Sequence, residues 1–182
     1  MSAPPAGPSL ADVEAAVRTV PDFPQPGVQF KDLTPVLVDP ALFGAALDRL
    51  AAPWADVGAT HVAGVEARGF WFGPALAARL GAGFVPVRKP GKLPARTLRA
   101  GYALEYGEDA VEVHADAFGP GARVLVHDDV IATGGTAAAA CALVREAGGS
   151  VVGASFVLEL AFLAGRERLP AGVPVDAALT VP

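Results

Sequence analysis

"VLVHDDVIATGGT", residues 124–136, is the stretch on which the fold turns. Val124, Leu125 and Val126 read as the apolar start of a buried strand. His127 interrupts the run, and two adjacent carboxylates, Asp128 and Asp129, end it. After a short apolar step come Thr133, Gly134, Gly135 and Thr136, then an alanine-rich run with helical character. The expectation is a strand, a glycine turn and a helix from Gly135 to Ala147, stopped by Gly148.

The same alternation repeats outward. "HVAGV" (61–65) is a short apolar strand, followed by the loop and helix of "EARGFWFGPALAARLG", which Gly81 ends. "FVPVR" (84–88) and "SVVGASFVLEL" (150–160) are further strands. Strands alternating with helices predict an α/β domain with a mainly parallel sheet flanked by helices. Between them, "KPGKLPARTLRAG" is a basic loop broken by Pro and Gly, and "GYALEYG" and "AVEVHAD" alternate like an exposed antiparallel pair.

Near the N-terminus, residues 1–8 read as a loose Pro- and Ala-rich tail. Ser9 and Asp12 are spaced as a capping box, and Leu10, Val13, Val17 and Val20 follow at helical spacing. Three prolines and a glycine make "PDFPQPGVQFKD" irregular. Asp39 and Pro40 suit an N-cap and first helical position, with Leu42, Phe43, Ala46, Leu47 and Leu50 as the buried stripe. No repeat or linker divides the chain, so one domain over 1–182 is expected.

The chain has 182 residues, 52% hydrophobic and 18% charged, with a formal net charge of -5. That balance offers no basic field for a nucleic-acid backbone. Cys141 is the single cysteine, which rules out an internal disulfide and suits a reducing, cytoplasmic setting. The N-terminus has no basic start and no long apolar run. The stretch from Val130 to Val144 is free of Asp, Glu, Lys and Arg but too short and glycine-rich for a membrane span.

Ligands of open α/β sheets bind beyond the carboxyl ends of the strands. A helix start after a glycine turn offers free backbone N–H groups and a dipole that favour an anion. Thr133 and Thr136 add hydroxyls. The carboxylates next to this turn would repel an anion, so the two ends ask for different chemistry. A sugar phosphate satisfies both: the turn takes the phosphate, and Asp128 and Asp129 accept hydrogen bonds from ribose hydroxyls. The commoner phosphate motifs are absent, since Gly91-Lys92 is followed by leucine and no G-x-G-x-x-G follows a strand.

"VLVHDDVIATGGT" resembles the phosphoribosyl-pyrophosphate (PRPP) binding motif of type I phosphoribosyltransferases. Four more segments agree in order and spacing: "PDFPQPGVQFKDLTPVL" (21–37), "EARGFWFGPALA" (66–77), "VRKPGKLPARTL" (87–98) and "YALEYG" (102–107). Together they resemble the adenine phosphoribosyltransferase branch, collinearly from about residue 9 to 169. The resemblance implies a parallel-sheet core, a small hood from about 21–37 and a C-terminal segment around Glu159 and Leu160, and a flexible lid hairpin. It also implies transfer of ribose 5-phosphate from PRPP to adenine, giving AMP and pyrophosphate, in a homodimer.

By that resemblance Ala132, Thr133, Gly134, Gly135 and Thr136 hold the 5′-phosphate, and Asp128 and Asp129 face the ribose hydroxyls. Magnesium bridges ribose and pyrophosphate with few protein ligands, so no His/Cys cluster is expected. Arg68 neutralises the leaving pyrophosphate. Its loop carries a non-proline cis peptide in the family, at Glu66–Ala67 here. Arg88, Lys89 and Lys92 meet pyrophosphate, across a dimer interface in one arrangement. Glu105, in the lid, accepts the proton from adenine N7, and Tyr106 helps close the lid. Main-chain atoms around Val28 read the adenine edge, while Phe30 stacks on its ring.

His127 departs from the aliphatic residue usual before the acidic pair and is expected to be a hydrogen-bonded residue of the core or an interface. Trp54 and Trp71 are expected to be core or interface residues. Two alternatives share the PRPP site: a transferase acting on a 6-oxopurine, and a non-catalytic PRPP-sensing regulator. The presence of Glu105, Arg68, Arg88 and Lys92 speaks against the second.

Overall fold

The computed structural model describes residues 7–103 and 108–182. Two compact units divide the chain, residues 1–49 and 50–182.

In the first unit, α1 (Leu10–Ala16) starts as the sequence predicts. Ser9 Oγ accepts from Asp12 N–H, and the Asp12 carboxylate accepts from Ser9 N–H at 2.7 Å, closing the capping box. The helix stops earlier than its apolar spacing suggests. Val17 is already extended, and Val20 lies in β1 (Arg18–Pro21). β1 pairs antiparallel with β2 (Gln29–Asp32), placing Val20 opposite Phe30. The end of the predicted irregular stretch is therefore a strand, and β-branched Val20 finds a cross-strand partner in Phe30 instead of a helix face. Arg18 and Asp32 close this ladder with an ion pair. α2 (Thr34–Val38) follows, and then α3 (Pro40–Ala51). Asp39 Oδ1 caps α3, accepting from Ala41 and Leu42 N–H at 2.8 and 3.1 Å. Of its predicted stripe, Ala46, Leu47 and Leu50 are buried.

The second unit carries a five-stranded parallel sheet in the order β4-β3-β7-β8-β9. Its strands are β3 (His61–Val65), β4 (Gly83–Val87), β7 (Arg123–Ile131), β8 (Ser150–Leu160) and β9 (Val175–Val181). Helix α4 (Gly69–Arg79) crosses from β3 to β4, and α5 (Gly135–Glu146) from β7 to β8. Chain order reverses direction between β3 and β7, which makes their carboxyl ends a topological switch point. Val62, Ala63, Val124, Leu125 and Val126 are fully buried there. Each buried valine or leucine contributes about 1.5–3 kcal/mol relative to exposure.

β7 is longer than predicted. It runs beside β3 only from Val124 to His127 but beside β8 as far as Ile131. Asp128 and Asp129 therefore lie within the strand, on the stretch that outruns β3, rather than at its end. β9 is a strand beyond those the sequence predicts, although "PAGVP" (170–174), with left-handed Gly172, marks a turn just before it.

β5 (Thr97–Ala103) and β6 (Glu108–His114) form the antiparallel hairpin. β5 begins inside the segment read as basic loop. β6 is not exposed: Val111 and Val113 join Val126, Ala140 and Leu143 in the main apolar cluster. An isolated bridge from Arg88 to Glu112 ties the end of β4 to β6. Trp54 is core, its ring filling the space that Gly153 leaves open, whereas Trp71 on α4 is exposed. No helix of the described residues is long and apolar enough to cross a membrane.

Candidate active site

At the switch point, Arg68 and the continuous stretch from Asp128 to Ala137 line one cavity of about 210 Å³. Arg68, Asp128, Asp129 and Ala132 to Thr136, which the resemblance implies share one site, all line it.

The turn is made by Gly134. It takes a left-handed conformation (φ 78°) and N-caps α5, a position where a side chain is strained. Ala138 N–H bonds back to Gly134 O at 2.9 Å, opening the helix ladder. The N–H groups of Gly135, Thr136 and Ala137 precede it and have no intrahelical acceptor, so they are available to an anion at the positive end of the α5 dipole.

Asp129 is 3% exposed and Asp128 half-buried. Burial, then the neighbouring Asp129 charge, pushes the Asp128 carboxyl well above its ordinary range. Burial also raises Asp129, against the pull of Arg68. Arg68 Nε stands 3.1 Å from Asp129 Oδ2, an ion pair without hydrogen-bond geometry, and that oxygen is buried with no hydrogen-bond partner. A buried carboxylate oxygen in this state is expensive and suits a ligand that brings hydroxyls or a cation. Gly69, at the start of α4, makes room: a Cβ there would lie 3.0 Å from Asp128 Oδ1 and from His127 O. The sequence reading missed Gly69, whose only local sign is a glycine opening a helix.

The three cations of the basic loop are engaged elsewhere. Arg88 Nε donates to Glu66 Oε2 at 3.0 Å, the Lys89 amide donates to the same oxygen at 3.1 Å, and Lys92 pairs with Glu66 Oε1. Burial alone would raise the Glu66 carboxyl, but Lys92, the Lys89 amide and Arg88 outweigh it and hold it at about 2. Lys89 Nζ pairs with Asp109 and donates to Tyr102 Oη at 2.7 Å. Glu66 stands two residues before Arg68, and the Glu66–Ala67 peptide is cis, as the resemblance implies.

Val28 and Phe30 belong to the first unit. Phe30 is half-buried and meets the Phe23 ring edge-on, centroids 5.0 Å apart. Glu105 and Tyr106 lie outside the described residues. His127 is a core residue, as expected, fully buried, with burial lowering its pKa to about 4, so it stays neutral at pH 7. The hydrogen bond expected of its ring is absent, since among the described residues neither ring nitrogen has a partner in hydrogen-bond geometry. Among the described residues no group of three His, Cys, Asp or Glu converges as a metal site.

Comparison with known proteins agrees with this geometry. The family described as "Phosphoribosyl transferase domain" matches residues 44–168. An adenine phosphoribosyltransferase of Maricaulis maris is 54% identical, covering 91% of this chain and 95% of its own. The crystal structure of the Rhodothermus marinus adenine phosphoribosyltransferase superposes with a TM-score of 0.90 at 57% identity, covering 94% of this chain and 98% of that one. The Saccharomyces cerevisiae adenine phosphoribosyltransferase, solved with an imino-altritol bisphosphate and adenine, gives 0.88 at 41% identity over 93% and 98%.

Proposed function

The chain belongs to the phosphoribosyltransferase family, on its adenine phosphoribosyltransferase branch, and from that premise we propose that it transfers the 5-phosphoribosyl group of PRPP to N9 of adenine, releasing AMP and pyrophosphate. One observation carries the reading. A single cavity is lined both by a carboxylate pair, buried Asp129 and half-buried Asp128, and by a glycine turn with a helix N-terminus.

The residues divide the substrate between them. Backbone N–H groups of the turn and the hydroxyls of Thr133 and Thr136 bind the 5′-phosphate, each charge-assisted hydrogen bond contributing about 1.5–3 kcal/mol. Asp128 and Asp129 accept from the ribose hydroxyls and face positive charge developing at the anomeric carbon. The bond from that carbon to pyrophosphate breaks as the bond from N9 forms, and Arg68, Arg88, Lys89 and Lys92 receive the charge of the leaving group. Glu105 takes the proton that adenine loses, Tyr106 helps close the lid over the site, and Val28 and Phe30 serve the adenine ring.

The Asp129 oxygen, ion-paired with Arg68 but without a hydrogen bond, and the second carboxylate beside it fit a hard cation that takes most of its ligands from substrate. Magnesium, when bound, spreads the pyrophosphate charge, and Asp128 and Asp129 are the residues that would hold it, through the ribose hydroxyls. We extend the family resemblance to one working domain over both units, a homodimer and a cytoplasmic setting. Buried Cys141, a free thiol, suits that compartment.

Initial rates with PRPP, magnesium and separately adenine, hypoxanthine or guanine test the proposal. AMP from adenine, with the other bases slow, is the expected result. Turnover of a 6-oxopurine alone would reassign the base. PRPP binding without turnover of any base would make the chain a sensor.

A further inference from the structure

Past the carboxyl end of β8, the chain returns to the glycine turn. Ile131, the last residue of β7, pairs with Glu159 on β8. Beyond Leu160 a short 3-10 turn leads to Ala164, which is left-handed (φ 50°), an uncommon conformation for a residue with a Cβ. Gly165 follows, buried, and opens a second 3-10 turn, Gly165–Arg168. Its backbone lies directly on the glycine turn. A Cβ on Gly165 would overlap Ala132 O and lie 3.0 Å from Gly134 N. A Cβ on Gly134 would overlap Gly165 O and lie 2.9 Å from Gly165 C. Neither strand of this contact has room for a side chain.

The next residue fastens the segment. Arg166 Nε and Nη2 each donate to one oxygen of Glu159, at 2.6 and 2.5 Å. Arg166 Nη1 donates to Val175 O at the start of β9, at 2.8 Å. Glu159 is 8% exposed, so this two-pronged fork works in a partly desolvated place, where its planar geometry fixes orientation as well as charge. The guanidinium thus ties the Gly165 backbone to two strands of the parallel sheet.

We propose that Gly165, held by the Glu159–Arg166 fork, is a positioning element for the phosphate turn. It touches no substrate. It presses the Ala132–Gly134 backbone into the shape that aims the N–H groups of α5 at a phosphate. The proposal rests on the assignment of this turn to the 5′-phosphate, and it adds Gly165, Arg166 and Glu159 as determinants of affinity for that group rather than for the base.

Calorimetry with PRPP–magnesium and with ribose 5-phosphate tests it, alongside KM values for PRPP and for adenine at saturating PRPP. Ribose 5-phosphate carries the phosphate but neither base nor pyrophosphate. Gly165→Ala should weaken both ligands about tenfold or more, the worth of one charge-assisted hydrogen bond. The adenine KM should stay within twofold, about the scatter of a site it does not touch. Arg166→Lys keeps the charge and loses the fork. It should raise the PRPP KM about two- to fivefold at an unchanged adenine KM, and it serves as the test should Gly165→Ala not fold. Wild-type affinity for ribose 5-phosphate in a folded variant overturns the proposal, as does an equal rise in both KM values. A wild-type chain that binds adenine but neither phosphate ligand overturns instead the assignment of the turn.

Discussion

The glycine turn at 132–136 and the basic loop at 88–92 both offer positive character to an anion, but they are built by opposite means. At the turn, the donors are backbone N–H groups fixed by the left-handed Gly134 and by the start of α5. The turn itself carries no side-chain cation. At the loop, the positive charge is carried on long side chains, and internal carboxylates already hold it: Glu66 takes Arg88 and Lys92, and Asp109 takes Lys89. In the proposed reaction a leaving pyrophosphate would have to compete with Glu66 for two of these cations. The difference suits the reaction. The group that stays with the product would sit in a backbone cradle, whereas the group that departs would meet charges that have somewhere to return to.

The largest effect should come from removing the charge that lies between these regions. Asp128→Asn together with Asp129→Asn should lower turnover about 10³-fold or more, as expected when groups facing developing charge are lost. The variant should remain folded, because neutral amides relieve the burial that raises both carboxyls. Steady-state rates beside a melting curve check it, and near-normal turnover would remove the pair from the mechanism.

A smaller change sharpens the contrast at the loop. Glu66→Gln removes the competitor, so pyrophosphate should bind about two- to fivefold more tightly, the scale of one part-exposed ion pair. Weaker binding in calorimetry would mean that Glu66 aims Arg88 and Lys92 at the ligand instead.

The smallest effect is in stability. Glu66 is depressed from 4.5 to about 2 in the folded chain. Its contribution is fully present above the unfolded value and is lost as pH falls through the folded one. Wild type should therefore melt above Glu66→Gln at pH 7 by about 2–4 °C, the response of a protein this size to roughly 1 kcal/mol. The gap should close as pH approaches 2. A gap that persists in acid would place the effect in packing rather than charge.

Much of this site was legible in sequence because its signals are local. The valine run, the Asp pair and the paired glycines identify β7, the turn and α5 by adjacency alone, whereas Arg68 is placed with them only by the resemblance of its segment to the family's pyrophosphate loop. What escaped depends on distant partners. Val17 and Val20 keep helical spacing but become extended where β1 meets β2. The apolar residues of β6 read as part of an exposed antiparallel pair, yet Val111 and Val113 are core. The pairing of the basic loop with Glu66 spans 22 to 26 residues and has no sequence period. Gly165 looks like an ordinary loop glycine, since its reason is the backbone of Ala132 and Gly134, some thirty residues earlier.

A crystal structure of the wild-type chain with PRPP and magnesium tests the central contrast most directly. It should show the 5′-phosphate within hydrogen-bond reach of the N–H groups of Gly135 and Thr136, with the turn unmoved, and Arg88 and Lys92 released from Glu66 onto pyrophosphate. A turn that rebuilds around the phosphate, or cations still bound to Glu66 with pyrophosphate in place, would contradict the account.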